Sequence, residues 1–159
     1  MVRECLIRRA TSDDAKAVHA IAQSAYRHYE QALGIRPAPL TTDYRLSIAT
    51  QDVWLAMADA GSICGFVIVD IDEHYWIDNI AVSPCHQGFG VGRCLLRHAE
   101  RGAENCGFSS IYLLTHALMT DNRRWYARQG YIELDRRIDS GRDRIFFVKR
   151  LNRPGQVEC

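Results

Sequence analysis

Apolar side chains recur at helical spacing in two long stretches of the chain. Within residues 11–33, Val18, Ile21 and Ala25 fall on one face of a helix that follows a polar start and ends before a glycine. Residues 90–106 repeat this pattern and also end before a glycine. We therefore predict two amphipathic helices, each with one face that packs on the rest of the fold.

Shorter apolar runs between and after these helices are typical of strands. Pro37 and Pro39 mark a loop, and a shorter helix is predicted to begin at Thr41 or Thr42. A further short helix covers residues 121–129. The predicted strands lie at residues 4–9, 53–58, 63–71, 75–82, 111–115, 131–134 and 144–151. This order of elements predicts an α/β fold, with a mixed sheet that has helices on its faces.

Length and charge narrow the range of functions. The 159 residues suit a single domain, which we assign to residues 1–151, with a flexible tail at 152–159. The net charge is +1 and the sequence pI is about 7.7, so the chain lacks the basic character of a nucleic-acid-binding domain. No apolar run is long enough for a membrane span, and the N-terminus does not resemble a signal peptide, so a cytoplasmic location is expected.

Six cysteines are spread over the chain without a Cys-x-x-Cys pair. That spacing does not suit a zinc site, and without a secretion signal it does not indicate a disulfide framework. We therefore expect no bound metal and a fold that is stabilised by its apolar core.

A glycine-rich segment supplies the clearest chemical signal. The predicted strand at 75–82 leads through a short loop to Gly88, Gly90 and Gly92, which open a predicted helix. Glycines at such a turn let the backbone approach an anion, and the unpaired N–H groups of the helix start favour phosphate. The spacing differs from the Gly-x-Gly-x-x-Gly of dinucleotide-binding folds, because Arg93 stands at the third glycine position. No Gly-Lys-Ser/Thr of a P-loop is present in the sequence.

This segment resembles the phosphate motif of the GNAT superfamily of acetyl-coenzyme A-dependent N-acetyltransferases. The family pattern Gln/Arg-x-x-Gly-x-Gly/Ala is matched by Gln87, Gly90 and Gly92. Downstream, residues 122–131 resemble a second family segment, Asn-x-x-x-Tyr-x-x-x-Gly-Phe/Tyr. The resemblance implies a central twisted, mostly antiparallel sheet of six to seven strands, with the fourth and fifth strands splayed apart and about four helices on both faces.

The resemblance also implies where acetyl-coenzyme A binds. Its pantetheine arm would pair with the fourth strand at Ile80, Ala81 and Val82, in the gap between the fourth and fifth strands. Asn122 and Tyr126, one helical turn apart, would lie near the thioester. The pyrophosphate would be held by backbone amides of Gln87, Gly88, Phe89, Gly90, Val91, Gly92 and Arg93.

Acetyl transfer to an amine needs a proton acceptor for the ammonium, a donor to the developing oxyanion and a proton donor for the thiolate. Tyr126 suits the last role, because a phenol is neutral at neutral pH. The backbone N–H of Val82 is a candidate oxyanion donor. For the base, strand alternation places Asp78 on the same face as Ile80 and Val82 unless a bulge intervenes, and His116 or a chain of waters is the alternative.

We therefore predict an N-acetyltransferase that moves acetyl from acetyl-coenzyme A to a primary amine, with a small-molecule amine favoured, by direct attack in a ternary complex. A non-catalytic acyl-coenzyme A-binding sensor and an enzyme that acts on a peptide or protein amine are the alternatives. No nucleic-acid or membrane partner is predicted, while the acyl group, the acceptor's identity and a homodimer stay open. The candidate acceptor contacts are Tyr26, Tyr29, Arg36 and Tyr44.

Overall fold

A seven-stranded sheet organises the structure, a computed structural model that describes residues 5–59 and 61–152. Its strands are β1 (Leu6–Arg9), β2 (Asp52–Met57), β3 (Ile63–Ile71), β4 (Tyr75–Val82), β5 (Ser110–His116), β6 (Ile132–Asp139) and β7 (Arg142–Arg150). The α-helices are α1 (Ala15–Leu33), α2 (Tyr44–Thr50), α3 (Val91–Asn105) and α4 (Thr120–Arg128). This architecture confirms the predicted fold class.

The strands lie in the order β1-β2-β3-β4-β5-β7-β6. Neighbouring strands are antiparallel except for β4 and β5, which are parallel. These two pair only between Tyr75 and Ile111 at one end and Ile77 and Leu113 at the other, although β4 continues to Val82. The predicted separation of the fourth and fifth strands is therefore confirmed, and it opens a gap at the ends of both strands.

Apolar layers cover both faces of the sheet. On one face, Leu95 of α3 packs in the same fully buried cluster as Ile111 of β5. On the other, Val18 of α1 packs in a cluster with Phe66 of β3, and both are also fully buried. The predicted helical faces thus provide the two layers, and the unpaired end of β4 lies between α1 and α3.

Helix α2 begins at Tyr44, rather than at Thr41 or Thr42 as predicted. Asp43 caps this helix, because its carboxylate accepts hydrogen bonds from two backbone N–H groups of the first turn at 3.1 and 3.2 Å. A carboxylate also complements the positive end of the helix dipole. The cap therefore sets the start of α2 later than the threonines suggested.

Strand β6 extends to Asp139, well beyond the predicted segment 131–134. Charged residues interrupt its apolar pattern, so the pattern alone underestimates the length of this strand. Ser140 and Gly141 then form a tight turn into β7, with φ angles of 52° and 76°. β6 lies at the edge of the sheet with most of its side chains exposed, and its pairing in a homodimer stays a prediction.

Parts of the sequence-based account lie beyond what the structure describes. Apart from Asn152, the predicted tail at 152–159 falls outside the described residues. Within 5–59 and 61–152, no helix is long and apolar enough to cross a bilayer. In the same ranges, no group of three or more His, Cys, Asp or Glu could hold a metal ion. The single domain at 1–151 and the cytoplasmic location stay predictions.

Replacing Asp14 with asparagine should lower the free energy of unfolding by about 1 to 2 kcal/mol at neutral pH. Arg8 donates two hydrogen bonds to this carboxylate at 2.8 and 2.9 Å, and they lower the pKa of Asp14 to about 2 against the opposing effect of burial. Because this pKa lies below the unfolded value of about 3.9, the stabilisation is present above that value and is lost as the pH falls toward about 2. Urea unfolding of both proteins across this pH range measures the difference in their free energies of unfolding.

The neighbouring Asp13→Asn variant is the control, since Asp13 is exposed while Asp14 is buried. We expect no comparable loss of stability for this control at neutral pH. A penalty for Asp14→Asn that stays constant down to about pH 2 would contradict the role of the ion pair with Arg8.

Candidate active site

The backbone of β4 turns two amide groups into the gap between β4 and β5. The Ser83 N–H donates to the Cys64 carbonyl at 2.9 Å, so hydrogen-bonded pairs with β3 recur at every second residue, including Ala81. The N–H groups of Ile80 and Val82 therefore point away from β3 and into the gap, where β5 no longer pairs. The gap thus offers two hydrogen-bond donors to an extended ligand beside β4.

The carbonyl groups of the same two residues are already engaged. The Tyr26 hydroxyl donates to the Ile80 carbonyl at 3.0 Å, and the Gln87 side-chain amide donates to the Val82 carbonyl at 3.1 Å. Ala81 directs its backbone groups toward β3 instead. Three residues of β4 are predicted to contact the cofactor. Ile80 and Val82 present free amides to the gap between β4 and β5, whereas Ala81 contributes only to the wall of this gap.

The loop after β4 forms a glycine-rich turn at the start of α3, with a geometry that suits an anion. Gly88 and Gly90 adopt left-handed backbone conformations, with φ angles of 83° and 85°. Gly90 caps α3 without a side chain, and its carbonyl oxygen accepts a hydrogen bond from the Cys94 N–H at 3.0 Å. The N–H groups of Val91 and the two residues after it have no acceptor within the helix. Together with the helix dipole, these groups favour a phosphate at this turn.

Gly92 is required for close packing rather than for a left-handed backbone. A Cβ atom at this position would lie 3.2 Å from the ring of Trp125 and 3.5 Å from the side chain of Val82. The absence of a side chain therefore lets the start of α3 approach both α4 and the end of β4.

These elements line a cavity of about 480 Å³, which we call the first cavity. All of the predicted cofactor-binding residues line it except Phe89, which is 72% exposed. The predicted residues that line it are Ile80, Ala81, Val82, Gln87, Gly88, Gly90, Val91, Gly92, Arg93, Asn122 and Tyr126.

A second cavity of about 350 Å³ adjoins the first. Its walls come from the loop between α1 and α2, from β4, from the end of β5 and from the turn between β6 and β7. Tyr26, Ile80, Asn122 and Tyr126 line both cavities. The two cavities therefore meet at these four residues, where two ligands could contact each other.

Tyr126 lies at this junction with its hydroxyl group available. Among the described residues, none forms a hydrogen bond with this hydroxyl. The ring packs against Trp125, Tyr131 and Phe147, with centroid distances of 5.1, 6.0 and 5.7 Å. Burial raises the pKa of Tyr126, and the neighbouring Tyr29 adds to this effect. Tyr126 is therefore a firmly packed phenol that is neutral at neutral pH.

The predicted acceptor contacts occupy different places around this junction. Tyr29 lines the first cavity, where its hydroxyl donates to the Asn122 side-chain oxygen at 3.3 Å. Arg36 lines the second cavity, whereas Tyr44 is 3% exposed and lines neither. Tyr44 therefore has no direct contact with either cavity.

A buried hydrogen-bond network centred on Asn79 was not anticipated from the sequence. The Tyr26 hydroxyl shares its single hydrogen between the Ile80 carbonyl and the Asn79 side-chain oxygen, which lies 3.1 Å away. The Asn79 amide donates to the Tyr44 hydroxyl, also at 3.1 Å. Tyr44 in turn donates to the Pro39 carbonyl at 2.7 Å. This network ties α1, α2 and their connecting loop to β4, and so it holds the wall of the second cavity. The signal in the sequence is an asparagine between Asp78 and the apolar run that ends β4.

A β-bulge reverses the side-chain alternation of β4 at Asp78. Consecutive residues of β3 pair with Ile77 and Asn79, so Asp78 has no partner in this ladder. As a result, Ile77 and Ile80 pack in the same cluster under α3 although they are three residues apart. The prediction that Asp78 shares a face with Ile80 and Val82 is therefore wrong.

Asp78 nevertheless lines the second cavity, whose wall also includes Tyr126. Its side chain is exposed, and one carboxylate oxygen accepts a hydrogen bond from the Gln51 amide at 3.3 Å. The second carboxylate oxygen leaves acceptor capacity for a proton or a water molecule.

His116 lines the same cavity, but its hydrogen bonding limits it as a base. Its Nδ1 accepts the N–H of Leu118 at 3.1 Å, so the neutral ring carries its proton on Nε2. Burial lowers the pKa of His116, opposed by Asp143 and reinforced by two nearby arginines. The neutral imidazole therefore has no free lone pair to accept a proton from a ligand.

Comparison with known families agrees with this geometry. The family model described as the acetyltransferase (GNAT) domain matches residues 49–133 of the chain. This match includes β4, the glycine-rich loop, α3, β5 and α4. It therefore covers both the free amides of β4 and Tyr126.

Two curated relatives are similar to the chain. A streptothricin acetyltransferase from Streptomyces lavendulae is 29% identical over 86 residues, or 52% of this chain and 46% of that protein. The chain thus spans about half the length of that relative. An aminoalkylphosphonate N-acetyltransferase from Salmonella typhimurium is 25% identical over 140 residues, covering 80% of this chain and 84% of that protein.

Among solved structures, the PaiA N-acetyltransferase from Thermoplasma acidophilum, in complex with coenzyme A, is similar in fold. The TM-score is 0.73 with 16% sequence identity, and the match covers 92% of this chain and 98% of that chain. At this identity the likeness shows a shared fold alone.

Proposed function

Because the chain belongs to the GNAT acetyltransferase family, we propose that it transfers acetyl from acetyl-coenzyme A to a primary amine of a small molecule by direct attack in a ternary complex. The observation that carries this proposal is the meeting of two cavities at Tyr126 and Ile80. The first cavity suits the cofactor, and the second, of about 350 Å³, is within the size range of small-molecule sites.

The described residues fit acetyl-coenzyme A. The amides at the start of α3 suit its pyrophosphate, and the free N–H groups of β4 suit carbonyl oxygens at its thioester end and along its pantetheine arm. When bound, this cofactor supplies an acyl group activated as a thioester. The coenzyme A complex of the similar PaiA structure supports the same assignment.

The two free amides of β4 have different positions relative to the junction. Ile80 lines both cavities, whereas Val82 lines the first alone and lies nearer the glycine-rich loop. We therefore assign the oxyanion contact to the Ile80 N–H and a pantetheine contact to the Val82 N–H. This proposal replaces the sequence-based choice of Val82, because Ile80 lines the second cavity together with Tyr126 and Val82 does not.

The nitrogen of the ammonium must lose one proton before it can attack and a second proton as the amide forms, while the departing thiolate gains one. Asp78 would accept the first proton, directly or through a water molecule, since it lines the second cavity with acceptor capacity. Tyr126 would donate its proton to the departing sulfur, since its hydroxyl is neutral and has no partner among the described residues, and it would recover a proton from the nitrogen of the forming amide, directly or through a water molecule.

Replacing Asp78 with asparagine should lower kcat/KM for the amine about 100-fold at neutral pH, because the variant cannot accept a proton. The matched variant His116→Gln should leave kcat/KM nearly unchanged, since the free nitrogen of this ring already carries a proton. Steady-state rates of coenzyme A release measure both effects. A large loss for His116→Gln with a small loss for Asp78→Asn would reverse the assignment of the base.

Coenzyme A release from acetyl-coenzyme A, measured with a panel of small primary amines, tests the proposed function. We expect amine-dependent release together with a product heavier by one acetyl group in mass spectrometry. Binding of acetyl-coenzyme A without turnover on any small amine would indicate a sensor instead. Turnover confined to peptide amines would indicate a macromolecular acceptor.

A further inference from the structure

The second cavity contains more positive than negative charge. Arg36, Arg142 and Arg144 line it, and Asp78 is the carboxylate in its wall. Burial lowers the pKa of His116 beside them, an effect that Asp143 opposes and that Arg142 and Arg144 reinforce. The lining of the second cavity therefore carries an excess of positive charge.

The three arginines differ in how far their charges are already compensated. Arg144 pairs with Asp139 at 2.7 Å, with 17% of its side chain exposed. Arg36 lies 3.6 Å from Glu30, and both side chains are well exposed, so this contact contributes little. Within the described residues, Arg142 has no carboxylate partner. Arg142, supported by Arg36, is therefore the cation available to a ligand.

The backbone around Arg142 is well held. The tight turn at Ser140 and Gly141 places Arg142 at the first position of β7. The Ala117 N–H donates to the Asp143 carbonyl at 2.8 Å, which ties this turn to the end of β5. The guanidinium group thus projects from a rigid hairpin end rather than from a free loop.

We propose that the second cavity binds an acceptor that has an anionic oxygen group, a carboxylate or a phosphonate, at the opposite end from its primary amine, with Arg142 and Arg36 holding the anion. A planar guanidinium pairs with either group through two parallel hydrogen bonds. The amine then lies toward Asp78 and Tyr126. This inference rests on the proposed function, because it takes the second cavity as the acceptor site.

Equilibrium binding tests this inference without turnover. Titration calorimetry on the protein saturated with coenzyme A uses three probes, namely 2-aminoethylphosphonate, 3-aminopropanoate and the neutral ethanolamine. At least one anionic probe should bind at least about tenfold more tightly than ethanolamine. The preferred anion then identifies the phosphonate or the carboxylate as the group that is recognised.

Arg142→Gln should raise the dissociation constant of the preferred anionic probe about 10- to 100-fold and leave ethanolamine unaffected. The matched control is Arg150→Gln, at the opposite end of the same strand and outside both cavities. Arg150→Gln should change neither the dissociation constant of the anionic probe nor that of ethanolamine. Arg36→Gln should give a smaller loss, and it provides a second variant if Arg142→Gln lowers the melting temperature.

Two results would overturn the inference. One is the absence of binding for both anionic probes at about 10 mM, where a dissociation constant of about 1 mM would give near saturation. The other is equal binding of anionic and neutral probes by the wild-type protein. Failure of the proposed function is distinct, because it would appear as absent acetyl transfer while the binding preference for anions persists.

Discussion

Replacing Tyr126 with phenylalanine should lower kcat for acetyl transfer at least about 100-fold, because the departing sulfur then lacks a proton donor. The affinity for acetyl-coenzyme A should change little, since no hydrogen bond to this hydroxyl is lost among the described residues. The ring contacts with Trp125, Tyr131 and Phe147 stay in place. Coenzyme A release measures the rate, and titration calorimetry measures the affinity.

Tyr112→Phe is the control for this variant. Tyr112 lies on β5, packs its ring 5.3 Å from that of Trp76 and lines neither cavity. We expect it to keep the wild-type kcat. A Tyr126→Phe enzyme that retains full kcat would show that another group or solvent protonates the sulfur.

Gly90→Asp should weaken the binding of acetyl-coenzyme A at least about 100-fold, because a carboxylate would face the pyrophosphate. A Cβ atom at Gly90 meets no other atom within 4 Å, so the new side chain would enter the open space at the start of α3. Aspartate tolerates the left-handed backbone better than most residues, so the fold should be retained. Titration calorimetry with acetyl-coenzyme A measures the loss.

Gly107→Asp provides a matched control at the other end of α3. Gly107 has a φ angle of 84°, close to the 85° of Gly90, and a Cβ atom there also meets nothing within 4 Å. This control tests the introduction of aspartate into the same backbone conformation far from the proposed pyrophosphate site. Equal weakening of cofactor binding by both variants would exclude direct repulsion as the cause.

Elements that depend on local chemistry could be predicted from the sequence. The strands at Ile63–Ile71 and Tyr75–Val82 have the predicted bounds, because each is an apolar run between polar turns. Helix α1 ends at Leu33 because Gly34 adopts a left-handed backbone with a φ angle of 63°. The glycine-rich loop was also found, since its spacing appears in the sequence directly.

Features that depend on pairing between distant segments could not be predicted. The bulge at Asp78 arises from the register of β4 on β3, and alternation within one strand does not contain that information. Asn79 is buried because Tyr26 and Tyr44 supply partners from two helices. Arg142 reaches the second cavity because the β6–β7 turn lies against the end of β5. These features determine most of the proposed acceptor site.

Thermal unfolding with and without acetyl-coenzyme A tests the central claim, which is that the gap between β4 and β5 binds this cofactor. At a concentration about 100 times the dissociation constant, the ligand should add about 2.7 kcal/mol of stability and raise the melting temperature by about 5 to 10 °C. NAD and ATP should give no comparable shift. No shift with acetyl-coenzyme A at a concentration of about 1 mM would contradict the cofactor assignment and every catalytic role that depends on it.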